Sequence, residues 1–255
     1  MKNRLKGFYL LLSSLFLTLL HLPFAFAKSV TNNANHLIKE IVAAPAPMPA
    51  PAPMPGDGSS SKSIYDSLHL DLLGLSKKAY EYAQKGFQKL INKDLVNNES
   101  VLAIADFSQP SSHKRLYVLD MKNYKVLFNT LVAHGRNSGK EWASVFSNKP
   151  ASKKSSPGFY ITGETYMGGN GYSLKLNGIE RGINDKAYQR AIVIHGADYV
   201  DESYVNGQGY IGRSEGCPAV PREYASDIIN SIKEGTCFFV YSPNKQYVSS
   251  SSMLR

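Results

Sequence analysis

From Val101 onward the chain consists of short runs rich in β-branched and aromatic residues, each cut off by Gly, Pro, Asn or Ser. The runs are Val101 to Phe107, Arg115 to Asp120, Val126 to Val132, Phe159 to Thr162, Ser173 to Leu176, Ala191 to Ile194 and Cys237 to Tyr241. Segments of this length and composition, with these breakers, read as strands. Only one later segment, Arg222 to Lys233, reads as a helix. The pattern predicts a mainly β domain, a sandwich or barrel, with short helices added. A helical segment comes before it. Ser76 is placed to cap a helix, and Ala79, Ala83, Phe87, Leu90 and Ile91 share one face at helical spacing. Ile64, Leu68 and Leu72 suggest a shorter helix before Gly74. These apolar stripes read as packing faces. The Gly168-Gly169-Asn170-Gly171 stretch lacks the Lys-Ser/Thr of a phosphate loop and reads as a turn.

The N-terminus carries Lys2, Arg4 and Lys6, an apolar run from Phe8 to Leu20, and Ala25-Phe26-Ala27. Basic start, short apolar run and A-x-A end predict a signal peptide over 1–27, cleaved after Ala27. The run is too short and too soon interrupted for a membrane span, so no stable membrane insertion is expected after cleavage. Residues 28–62 read as a Pro/Ala/Ser-rich flexible linker, with alternating Ala, Met and Pro from Ala43 to Pro55. The helical segment occupies 63–98, the β-rich domain 99–246 and a tail 247–255. The full chain carries +9, and losing the three basic residues of the signal leaves +6. That charge suits an anionic polymer such as a cell wall. Nucleic acid is not expected as a partner, since there is no long basic run, finger spacing or basic reading helix. No metal-ligand spacing is present either, and no metal or cofactor is expected.

Two cysteines are few for a disulfide scaffold. Cys237 sits in an apolar run and reads as a buried strand residue. Cys217 lies between Gly216 and Pro218, on a turn where a thiol can be presented. His195-Gly196 follows the Ala191 to Ile194 strand, which suits a rigidly held general base. A histidine beside a cysteine lowers the thiol pKa. The backbone N–H groups of Gly216 and Cys217 are the candidate oxyanion donors.

The stretch also resembles a known family. His195-Gly196, a variable loop and Ser214-x-Gly216-Cys217 resemble the signature of the YkuD-type L,D-transpeptidases. Gly212-Arg213-Ser214-Glu215-Gly216-Cys217-Pro218-Ala219 is similar to the branch known as the murein L,D-transpeptidase catalytic domain. So are Ala133-His134-Gly135-Arg136-Asn137-Ser138-Gly139, Phe146-Ser147-Asn148 and Ser155-Ser156-Pro157-Gly158-Phe159-Tyr160. The resemblance runs from about Val101 to Tyr241. It departs from the common pattern at Glu215, where that pattern has His, and at Pro218-Ala219, where it has Asn or Arg. Arg213 and Arg222 are the candidates to replace that function.

The resemblance implies a YkuD-like β-sandwich/barrel catalytic domain acting on peptidoglycan stem peptides in the periplasm or cell envelope. Cys217 would attack the carbonyl of the third stem residue, the terminal D-Ala would leave protonated by His195, and an amine would take the acyl group. The Gly196 carbonyl would orient His195. Arg213, Ser214, His134, Arg136 and Tyr210 are the candidate substrate-binding residues. Ser214 has a second reading as support for the turn, and His134 as a turn-stabilising histidine. Tyr199 and Tyr204 join Tyr210 as lid or sugar-contact candidates, and Trp142 reads as core or edge packing. His69 and His113 read as surface residues. Competing readings are an L,D-carboxypeptidase using water, a non-catalytic wall-binding protein, and a structural protein with a Cys217–Cys237 disulfide.

Overall fold

The computed structural model describes residues 63–255. The predicted signal peptide and linker lie outside the described residues. Two helices come first, α1 over Ile64–Ser67 and α2 over Lys77–Ile91. Ser63 and Ser76 cap them by accepting the N–H groups of Asp66 and Ala79, which satisfies donors that a helix start leaves open.

Eight strands follow: β1 Asn98–Asp106, β2 Leu116–Asp120, β3 Lys125–Thr130, β4 Gly158–Gly168, β5 Gly171–Gly178, β6 Val193–Ala197, β7 Ala219–Pro221 and β8 Thr236–Tyr241. They form one sheet in the order β3-β2-β1-β8-β4-β5-β6-β7. Neighbours are antiparallel except β1 with β8 and β6 with β7. Just beyond β3, the Ala133 N–H donates to the Ala219 carbonyl on β7 at 2.8 Å. That bridge brings the two ends of the sheet together into a nearly closed barrel, which leaves little open edge.

The strands at the centre are buried on both faces. Val101, Ala103 and Ala105 of β1 join Phe238 and Val240 of β8 in one core. Leu102 and Ile104 join Cys237, Phe239 and Tyr241 in the other. This is the two-residue strand period. The first core is closed by α4, Ala225–Ile232, through Ile228, Ile229 and Ile232. The second is closed by α2 through Ala79, Ala83, Phe87 and Leu90. Each fully buried Leu, Ile or Phe contributes about 1.5–3 kcal/mol. Gly86 lets α2 sit close: a Cβ there would lie 2.0 Å from the Phe159 ring, which itself stacks on Phe239 at 4.1 Å.

The fold differs from the sequence reading in several places. β6 begins at Val193 and runs through Ala197, so His195 and Gly196 lie inside the strand. β4 extends well past Thr162, because it pairs with β5 as far as the Gly168–Gly171 turn. The helix expected over 222–233 opens as a 3-10 turn, Arg222–Tyr224, before α4. Two unexpected helices appear, α3 over Glu202–Gln208 and α5 over Lys245–Ser250. α3 buries no residue and so shows no apolar stripe; Asp201 caps its start and left-handed Gly209 ends it. The 247–255 segment is packed, with Tyr247, Ser251, Met253 and Leu254 all buried. The helical segment is likewise continuous with the β domain, since α2 and β1 share a core. Among the described residues no helix is long and apolar enough to cross a membrane.

Candidate active site

The segment before β7 turns between residues 133–136 on one side and β6 on the other. Ser214 donates its N–H to the His134 carbonyl at 3.0 Å, and its own carbonyl accepts from Arg136 N–H at 2.8 Å. Its hydroxyl then ties the turn internally. Ser214 Oγ accepts from Gly216 N–H at 3.1 Å and donates to the Cys217 carbonyl at 2.6 Å. Gly216 has φ +128, a conformation that favours glycine, and a Cβ there would sit a tight 3.0 Å from the Lys154 carbonyl.

This turn delivers Cys217 to the start of β6. His195 pairs with Ala219 in the β6–β7 register, which sets Cys217 beside Val193. Val193 N–H donates to Cys217 Sγ at 3.5 Å, and the thiol faces the Ala191 carbonyl at 3.7 Å. Only 9 % of the residue is exposed. The expected exposed, acidified thiol is therefore corrected: burial pushes its pKa up, against the Val193 N–H, which favours thiolate. Its hydrogen-bond partners are backbone groups of residues 191–193, not the imidazole. Cys217 and Cys237 are both free thiols in different cores, so the disulfide reading is also overturned.

His195 is buried. Its Nδ1 lies 3.0 Å from the Gly196 carbonyl. A carbonyl only accepts, so Nδ1 carries the proton and Nε2 is left as the basic nitrogen. Burial first, and the nearby Arg222 charge, hold its pKa below the ordinary histidine value, against the Gly196 carbonyl. Gly196 also admits α4: a Cβ there would meet Ala225 Cβ at 2.8 Å. The resting pair is thus neutral thiol and neutral imidazole.

The remaining expected residues divide. Gly216 cannot serve as an oxyanion donor in this arrangement, because its N–H is bonded to Ser214. Among the described residues the Cys217 N–H has no partner and is the open donor. Ser214 has the geometry of turn support. His134 is fully buried and is corrected from a substrate contact to an interior residue. Arg115 Nη2 donates to its Nδ1 at 2.8 Å, and its Nε2 faces the Gly139 carbonyl at 3.3 Å. Burial and Arg115 pull its pKa down to about 3. Arg136 is paired with Glu215 at 3.0 Å, and Lys153 binds the same carboxylate at 3.0 Å. Arg136 is thus engaged with protein charge, as a ligand to the residue that replaces the family's His. Arg213 donates to the Gly139 carbonyl at 3.2 Å and lies over the half-buried Tyr210 ring at 5.7 Å. Arg222 pairs with Asp198 beside His195. Trp142, expected to pack, is 50 % exposed.

Some contributors were not among the candidate site residues. Ser155 accepts Gly135 N–H at 3.0 Å and donates to the Gly216 carbonyl at 3.3 Å, bracing the turn from a third side. Arg115 is a fully buried cation, lying 4.5 Å over Phe107 and donating to the Gln109 and Val132 carbonyls. Arg190 stands just before the Ala191 to Ile194 run and belongs to none of the quoted motifs. No group of three or more His, Cys, Asp or Glu among the described residues comes together to hold a metal.

Comparison with known proteins places these features. No curated protein matches the chain. An L,D-transpeptidase from Mycobacterium smegmatis superposes with a TM-score of 0.35 at 15 % identity, over 56 % of this chain and 59 % of its own. One from Stackebrandtia nassauensis gives 0.34 at 15 %, over 66 % and 67 %. The helical cell shape determining protein of Campylobacter jejuni gives 0.36 at 14 %, over 67 % and 58 %. The chain therefore spans about three fifths of the first of these, and superpositions this loose carry no functional weight. The sequence profile of a family is the stronger match, covering residues 72–241: the chain belongs to the L,D-transpeptidase catalytic domain family.

Proposed function

We propose that this protein is a peptidoglycan L,D-transpeptidase with Cys217 as nucleophile and His195 as base. The observation that carries this reading is the pairing of β6 with the Ser214-tied turn. β6 carries at His195 an imidazole whose Nδ1 is anchored on the Gly196 carbonyl, leaving Nε2 to move protons, and its first residue, Val193, meets the Cys217 thiol. When a stem tetrapeptide enters, Nε2 takes the thiol proton, and sulfur attacks the carbonyl of the third residue. The Cys217 N–H donates to the resulting oxyanion. The bond to D-Ala breaks as His195 returns the proton to the departing amine, leaving a thioester on Cys217. An amine of a second stem peptide attacks that thioester and restores the thiol. One amide is broken and one is made, so no external energy source is required. The site of action under this reading is the periplasm or cell envelope, reached through the predicted signal peptide.

Purified disaccharide-tetrapeptide incubated with the chain from Lys28 onward tests the proposal by mass spectrometry. A cross-linked dimer with loss of D-Ala, made by Cys237→Ala but not by Cys217→Ala, is the expected result. Tripeptide without dimer would turn the reading to a carboxypeptidase with water as acceptor. Cross-linking that survives Cys217→Ala would remove the nucleophile assignment.

A further inference from the structure

We propose that Arg190 is an electrostatic positioning residue for Cys217, lending its positive charge to the sulfur when the thiolate forms. The assignment rests on Cys217 being the reactive thiol. Ala191 adopts a left-handed φ of 53, and this bend turns its carbonyl toward Cys217 Sγ. Arg190, one residue earlier, reaches under the same turn. A Cβ on Gly216 would lie 3.4 Å from Arg190 Nη2, so the guanidinium borders the residue that precedes Cys217.

The guanidinium is fixed there. Nη1 donates to the Ser147 carbonyl at 2.9 Å and to Ser156 Oγ, and Nη2 donates to the Lys154 carbonyl at 2.6 Å and Ser152 Oγ at 3.3 Å. None of these acceptors carries charge, and Arg190 makes no salt bridge among the described residues. A partly buried cation without a carboxylate has charge to spare for an anion nearby. The other charged groups facing the thiol do not offer this. Glu215 opposes thiolate, but Arg136 and Lys153 take up its charge. Tyr199 and His195 are both neutral at rest, Tyr199 because burial raises it to about 12. Burial lowers Arg190 and raises Cys217; against it, Arg190, which also borders Tyr160 held neutral by burial, and Cys217 each favour the other's charged form. The same hydrogen bonds tie Arg190 to residues 147–156, so a structural role is told apart from the electrostatic one by keeping the charge while removing the fork.

Thiolate absorbance titrated in a Cys237→Ala protein, with the Cys217→Ala/Cys237→Ala protein subtracted, reads Cys217 ionisation directly. Arg190→Gln is expected to raise the midpoint by about one pH unit. Arg190→Lys, which keeps the charge but loses the forked hydrogen bonds, is expected to stay within a few tenths of the parent. A folded Arg190→Gln protein with an unchanged midpoint would overturn the inference. So would an Arg190→Lys protein whose midpoint rises by a full unit, since that would make the loop contacts the whole effect. Failure of the nucleophile assignment would show separately, as turnover retained in Cys217→Ala.

Discussion

Ser214 Oγ donates to the Cys217 carbonyl at 2.6 Å while accepting the Gly216 N–H at 3.1 Å. One hydroxyl thus fixes both peptide units around the sulfur-bearing residue and occupies one of the two N–H groups expected from the sequence as oxyanion donors. Ser214→Ala frees the Gly216 N–H and loosens the turn. The lost hydrogen bonds cost about 0.5–1.5 kcal/mol each, so the fold should persist. Turnover is expected to fall by at least tenfold through kcat, with little change in KM, because misplacing the attacking atom affects the transition state most. Steady-state kinetics beside a thermal melt checks this. A rise in KM alone would instead make Ser214 a substrate contact.

The pH dependence of the proposed reaction follows from the same site. Burial raises the Cys217 thiol and lowers His195, so thiol and neutral imidazole coexist across neutral pH. Protonating His195 removes the base, and its folded pKa lies below the ordinary value of about 6.5. The acid limb of kcat/KM should therefore fall below pH 6.5, with a plateau through neutrality. A limb rising well above pH 7 would show that a preformed thiolate, not a thiol with a general base, starts the reaction. Measuring kcat/KM from pH 4 to 9 distinguishes the two.

The sequence revealed what local chemistry writes and missed what distant pairing writes. Cys237 to Tyr241 read as a buried strand because every residue in it is apolar enough for two covered faces. His195-Gly196 and Ser214-x-Gly216-Cys217 were visible as motifs. β7 was not, since three residues ending in Pro221 carry no strand pattern and are ordered by parallel pairing with β6 and the Ala133 bridge. The same pairing buries Cys217. Glycine and proline on either side suggested a presented thiol, whereas β6 and residues 133–136 close around it. Arg190 and Arg115 were invisible for a related reason: their partners are backbone carbonyls and uncharged side chains of other segments, which leave no mark on charge pattern or side-chain spacing.

Glu180 links the C-terminal segment to β4. Its carboxylate accepts from Phe159 N–H at 2.8 Å, from Tyr247 Oη at 3.3 Å and from Ser251 Oγ. Burial nevertheless raises its pKa above the usual glutamate range, outweighing the Ser251, Phe159 and Tyr247 hydrogen bonds that favour the charged form. The folded protein then holds this proton more tightly than the unfolded chain does. The contribution to stability is complete below about pH 4.3, the unfolded value, and is lost as pH rises through the folded one. Glu180→Gln keeps the acceptor oxygen and removes the titration. Its melting temperature relative to wild type should climb between pH 4 and 7. A difference that shrinks over that interval would mean the carboxylate is held charged.

His134 is the residue whose role changes most between sequence and structure. Its His-Gly resembles the one at 195, yet it is fully buried, with Phe107 5.9 Å from its ring and Arg115 donating to Nδ1. Arg115 is itself fully buried, and burial pulls its pKa down to about 9 against the charge of Asp106. His134→Ala leaves one donor of that guanidinium without an acceptor, at a cost of about 1–3 kcal/mol, and opens a cavity under Ser214. His134→Gln can present an oxygen in place of Nδ1 and should recover part of the loss. Melting temperature is expected to order wild type, Gln, Ala, while KM for the tetrapeptide stays fixed in both variants. If KM rises and the melts coincide, the imidazole reaches substrate after all, and the 133–139 segment must open in the working enzyme. If stability falls as expected, the first His-Gly belongs to the frame that holds the Cys217 turn, and the second alone to the chemistry.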